Sequence, residues 1–141
     1  MKSELLIDDP LQPVCSPRLL NNKKQFKSTS ELNKLTLLHD EGKQDWRLWL
    51  EATETDGVDW DSGQVFDDLS ATIAAAKRGQ GVALARKTLV TEELKNKELV
   101  MPFKAAIRTG IAYYLVYPSA VLLREEAQLF HDWLSNAVKA N

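Results

Sequence analysis

Five consecutive residues, Gly81-Val82-Ala83-Leu84-Ala85, carry no polar side chain. In an extended strand, successive side chains point to opposite faces, so an unbroken apolar run needs cover on both faces. That requirement predicts a strand inside a parallel or mixed sheet with helices on either side. The segment just before it fits. Leu69 to Lys77 places Leu69, Ile73 and Ala76 on one helical face, and Gly79 marks the stop. Gly79-Gln80-Gly81 then reads as a helix-to-strand turn, with no GxGxxG and no GK[ST] phosphate loop around it.

The same alternation of strand and helix runs through the rest of the chain. Val14-Cys15-Ser16 is extended and enters a short helix at Pro17, with Ser16 as its N-cap. Ser28 and Glu31 have capping-box spacing. Leu37-Leu38-His39 is a short strand, and Trp46, Trp49 and Leu50 form one face of a helix from Asp45 to Ala52. Val65-Phe66 is a strand ending in Asp67-Asp68. Thr91 opens a short helix, and Leu99 to Phe103 is another strand. Ala112-Tyr113-Tyr114-Leu115-Val116-Tyr117 has the strongest strand character. Pro118 ends it and Ser119 caps a long helix, whose predicted apolar stripe is Leu123, Ala127, Phe130, Leu134 and Ala137. The expected fold is α/β, with a central sheet of at least four strands near residues 13–15, 36–39, 82–86 and 113–117.

Several function classes are excluded on simple grounds. Eighteen Lys+Arg against twenty Asp+Glu give a net charge of −2 over 141 residues, without the basic excess of a nucleic-acid-binding surface. One cysteine, Cys15, allows neither an internal disulfide nor a cysteine-based zinc site. No secretory or membrane-spanning apolar stretch occurs, so the expected location is the cytoplasm. His39 and His131 each stand beside an aspartate, but neighbours in sequence point in different directions. The acids from Asp56 to Asp68 do not align as an EF-hand: the glycine falls one place early and Ser70 stands where a glutamate belongs. No catalytic residue, metal site or cofactor is expected.

Position makes Asp67 and Asp68 more informative than charge does. They follow a strand and open a helix, the place where open α/β sheets bind ligands. Ser16 lies at a similar strand-to-helix corner, and a helix N-terminus favours an anionic ligand. Capping alone is the plainer account of both.

Taken in order, these segments resemble the effector-binding domain of LysR-type transcriptional regulators, in the subgroup of the glycine cleavage activator and the β-lactamase regulators. The stretches that carry the resemblance begin with Pro13 to Leu20, Leu37 to Asp40, and Asp45 to Leu50. They continue with Phe66 to Leu69, Gly79 to Arg86, Leu99 to Phe103, Ala112 to Pro118, and Phe130 to Leu134. The resemblance implies a two-lobed fold like a type 2 periplasmic binding protein, with a small effector between the lobes. On that plan residues 14–112 form the second lobe, and residues 113–141 form the return strand and C-terminal helix of the first. The winged-helix DNA-binding domain and most of the first lobe have no counterpart, so the chain is expected to be an excised fragment or the product of a truncated gene.

The implied function is that of a bacterial effector-sensing, regulatory module without direct DNA binding, associated as a dimer or larger homo-oligomer or with a full-length relative. The alternative is a stand-alone solute-binding or oligomerisation fragment of the same fold. Expected effector contacts are Ser16, Phe66, Asp67, Asp68, Tyr113 and Tyr114, with an anionic effector and with Ser16 and Asp68 within about 20 Å of one another. Membrane association is not expected, and the apolar stripe of the last helix is expected to need cover from another copy.

Overall fold

The computed structural model describes residues 1–41, 44–107, 112–118 and 120–139, with the side chains at 5–8, 112–115, 122 and 138–139 left outside that description. The elements, in order, are β1 (Lys2–Asp8), β2 (Leu11–Val14), β3 (Leu37–His39), α1 (Gln44–Ala52), β4 (Gln64–Val65) and α2 (Leu69–Lys77). They continue with β5 (Val82–Arg86), α3 (Thr91–Lys95), β6 (Ala112–Tyr117) and α4 (Glu125–Lys139). Two compact units result: Pro10–Thr109, and Met1–Asp9 with Gly110–Asn141.

The larger unit holds a mixed four-stranded sheet in the order β2-β5-β3-β4. Strand β5 runs parallel to β3 and antiparallel to β2, and β3 runs parallel to β4. The apolar run is buried on both faces, as a two-sided sheet requires. Val82 and Leu84 join one core with Leu37, Trp46, Trp49 and Phe103, so α1 covers that face. Ala83 and Ala85 join a second core with Leu38, Ile73, Ala75 and Ala76, so α2 covers the other. Small residues on both elements of the second face let helix and sheet approach closely. On the first face Trp49 stands 5.7 Å from both Trp46 and Phe103, ring centre to ring centre. Gly81 has no freedom to be anything larger, because a Cβ there would lie 2.3 Å from the Thr36 carbonyl oxygen.

Local capping chemistry agrees with the sequence. Ser16 caps the 3-10 turn Pro17–Leu20, and Ser28 with Glu31 forms a capping box on Thr29–Lys34. Three details differ. The fourth strand of the central sheet is Gln64–Val65; β6 pairs instead with β1, in the smaller unit. Of Leu99 to Phe103 only Val100 bridges, to Cys15, and the next bridge to β2 is Ile107 with Leu11, so the intervening residues bow away from the sheet. The last helix begins at Glu125, after a 3-10 turn at Val121–Leu123; the expected cap, Ser119, lies outside the described residues.

In the smaller unit β1 and β6 form an antiparallel ribbon with an irregularity between Leu5 and Ile7. Helix α4 is tied to it by a polar cluster. The Glu4 carboxylate accepts from Tyr117 Oη at 2.7 Å and from His131 Nε2 at 2.5 Å. Those bonds lower the Glu4 carboxyl and raise His131, whose Nδ1 also pairs with Asp132. The packed flank of α4 therefore centres on Ala127, His131 and Leu134, and Phe130 from the expected stripe turns outward at 58% exposure. Leu123, also in that stripe, is 88% exposed.

Candidate effector site at the carboxyl ends of the parallel strands

Strands β3 and β4 end side by side, and their last residues direct the chain into the next turns. His39 is buried, and its Nε2 donates to the Ser62 carbonyl at 2.7 Å, so the ring is occupied in holding the turn before β4. The His39 carbonyl accepts from Phe66 N at 2.8 Å, which carries the chain from β4 toward α2. Asp68 then caps α2: its Oδ1 accepts from Ala71 N at 2.8 Å, and Thr72 Oγ1 donates to the Asp68 carbonyl at 2.9 Å. Phe66 packs half-buried on the core face of α2, while Asp67 and Asp68 are exposed.

Of these, Asp67 and Asp68 border an open cavity of about 350 Å³, lined also by Asp40, Glu41, Asp45 and Leu69. Burial raises the Asp45 carboxyl above the usual carboxylate range and the Asp40 charge adds to it, while Arg86 at the end of β5 opposes the shift. Among the described residues the rim is mostly negative, with the Arg86 guanidinium near enough to act on Asp45. Such a rim attracts hydrogen-bond donors and ammonium groups, and among the described residues an anionic group is served near Arg86 and the α2 N-terminus. Among the described residues no group of acids, histidines or cysteine is arranged to hold a metal ion.

The geometry gathers Phe66, Asp67 and Asp68 at this end, and it does not bring Ser16 there. Because β2 runs antiparallel to β5, the residue after Val14 emerges beside the start of β5, opposite the ends of β3 and β4. The Arg18 side chain accordingly lies within 4 Å of the Cβ position of Gly79, past the C-terminal end of α2 whose other end Asp68 caps. Ser16 is buried and its Oγ accepts from Arg18 N, which makes it a cap. Tyr113 and Tyr114 pair through their backbones with Ile7 and Leu5, and their side chains lie outside the described residues. Asp40 and Asp45 are rim residues that the sequence pattern did not single out, although they follow β3 as Asp67 and Asp68 follow β4.

The chain matches the LysR substrate binding domain over residues 1–139. The chain belongs to that family. It is 32% identical over 134 residues to the glycine cleavage system transcriptional activator of Escherichia coli (strain K12), covering 95% of this chain and 44% of that protein. It is 28% identical to the HTH-type transcriptional regulator BlaA of Proteus vulgaris over 134 residues, again 95% and 44% of the two chains. The chain thus spans less than half the length of these relatives, which are transcriptional regulators rather than enzymes.

Among solved structures, the effector domain of the transcriptional regulator AmpR of Pseudomonas aeruginosa superposes with a TM-score of 0.69 at 26% identity, over 99% of this chain and 65% of that one. The AmpR effector binding domain of Citrobacter freundii gives 0.72 at 23% identity, over 99% and 68%. The fold is therefore that of LysR effector-binding domains, the type 2 periplasmic-binding-protein-like fold. Among the described residues no helix is long and apolar enough to cross a membrane.

Proposed function

We propose that this LysR-family chain is the effector-sensing part of a transcriptional regulator and that its effector contacts lie at the carboxyl ends of β3 and β4. The observation that supports this most is the rigid seating of Phe66, Asp67 and Asp68 at the ends of two parallel strands, beside an open cavity. The effector is a small molecule bearing an anionic group, for the α2 N-terminus and Arg86, and a donor or ammonium group, for Asp40 and Asp67. Tyr113 and Tyr114 are proposed as further contacts on the family resemblance alone. Regulation operates in the cytoplasm, and the residues of this domain make no operator contact themselves, since they carry no basic excess.

A thermal-shift screen of small anionic, cationic and zwitterionic metabolites tests the reading. Zwitterions are expected to stabilise the chain, with the shift lost in Asp67→Asn and kept in Ser16→Ala. A hit whose effect survives Asp67→Asn and Asp68→Asn places the site elsewhere and ends the proposal.

A further inference from the structure

The segment that follows α3 does not track the edge of β2 closely. Cys15 and Val100 exchange two backbone hydrogen bonds, of 3.0 and 2.8 Å, and Leu11 and Ile107 exchange two more, of 2.8 and 3.0 Å. Between these pairs Gln12, Pro13 and Val14 are opposed by residues 101–106, so the longer side bows outward. By alternation the Pro13 backbone faces the same edge as Leu11 and Cys15, and proline has no N–H to leave unpaired there. The bow is held from outside. Phe26 N donates to the Pro102 carbonyl at 3.0 Å, and the Phe26 and Phe103 rings lie 5.6 Å apart.

Beside the bow lies an open cavity of about 450 Å³, within the size range of small-molecule sites. Leu94, Leu99, Met101 and Phe103 give it apolar walls, and Gln12 and Lys104 bring polar groups to it. Among the described residues that line it none is acidic, in contrast to the cavity at the ends of β3 and β4. Gln12 Oε1 is shut off from solvent and, among the described residues, has no hydrogen-bond partner. Magnitude decides which polar group sets the ligand. Lys104 is exposed, and an ion pair with an exposed lysine contributes little. A buried acceptor left unpaired costs more than such a pair returns, and a ligand N–H relieves it. A carboxylate has no donor to offer. A primary amide has an N–H for Gln12 and a carbonyl for Lys104.

We propose that this cavity is a second small-molecule site, for a neutral primary amide with an apolar chain. The terminal torsion of a glutamine is soft, so a turn of the Gln12 amide presents its oxygen to the ligand. The effector at the ends of β3 and β4 carries an anionic group and an apolar amide carries none, so this inference stands independently of that reading.

Amide shift titration of the full chain with octanamide is the test. Saturation is expected with a dissociation constant of about 0.1–1 mM, as suits a ligand of this size, and with the largest changes at Gln12, Met101 and Lys104. N,N-dimethyloctanamide keeps the carbonyl and loses both N–H groups, and should bind at least ~fivefold more weakly. Octanoate should be weaker than octanamide by a similar factor. Gln12→Met removes the unpaired oxygen at nearly constant volume, so it should keep the far-ultraviolet spectrum and lose the preference for octanamide over its dimethyl form. No saturation below about 10 mM, largest changes at Asp67 and Asp68, a dimethyl amide that binds as tightly, or a preference that survives Gln12→Met would each overturn the proposal.

Discussion

Two glycines with left-handed backbones, Gly57 and Gly63, differ in a way that isolates one physical cause. Gly57 has φ +79 and nothing within 4 Å of the place where a Cβ would stand. Gly63 has φ +100, and a Cβ there would sit 1.9 Å from the Leu37 carbonyl oxygen, on the backbone of β3. Gly57→Ala incurs only the left-handed penalty of about 1–2 kcal/mol, partly offset by about 0.4–1 kcal/mol from a less flexible unfolded chain. The net loss is near 1 kcal/mol. Gly63→Ala carries the same strain and must also push β4 off β3, weakening a two-residue pairing worth about 1 kcal/mol per hydrogen bond. A loss of about 3 kcal/mol or more is expected. Urea unfolding followed by tryptophan fluorescence reads the difference, since Trp46, Trp49 and Trp60 all lie in the Pro10–Thr109 unit. With slopes of about 1–3 kcal/mol per molar urea, the Gly63→Ala midpoint should fall by about 1 M or more and that of Gly57→Ala by much less. Equal losses at the two sites would refute the claim that the Leu37 carbonyl dictates glycine at 63.

Asp68→Ala should cost about 1 kcal/mol in thermal or urea unfolding and Asp68→Asn almost nothing, because asparagine caps as well as aspartate; equal losses would show that charge rather than capping holds α2. Native Cys15 should resist a thiol reagent at pH 8 and react at once in denaturant, given its burial and a thiol pushed up to about 12; fast labelling of the folded chain would contradict this. The Glu4 carboxylate raises His131 above its ordinary 6.5, so the stabilisation from that pair is complete below the ordinary value and is lost as pH rises through the raised one. A proton-NMR titration should show a His131 midpoint above 6.5 that falls back in Glu4→Gln; an unchanged midpoint would remove the Glu4 contact as the cause.

Much of the fold was legible because its signals are local. The two-sided burial of Val82 to Ala85, the caps at Ser16 and Ser28 and the bounds of α2 all follow from neighbouring residues. The features that were not legible depended on direction or distance. A strand-to-helix corner reads alike whichever way its strand runs, so Ser16 looked equivalent to Asp68 until the antiparallel pairing of β2 with β5 put it at the far end of the sheet. The partner of β6 is β1, more than a hundred residues earlier, a separation that local periodicity does not bridge. On α4 an apolar stripe through Phe130 satisfies helical spacing, but the half-buried position belongs to His131, one residue on. Its bond to Glu4 is a long-range contact that hydrophobic periodicity does not encode.

Backbone amide shift mapping of the chain against a stabilising small molecule tests the central claim most directly. The account predicts that the largest changes fall at Asp40, Phe66, Asp67, Asp68 and Arg86, around the ends of β3, β4 and β5. Changes confined to the cavity between Arg47 and Trp60, or to the one between Gln12 and Lys104, would contradict it.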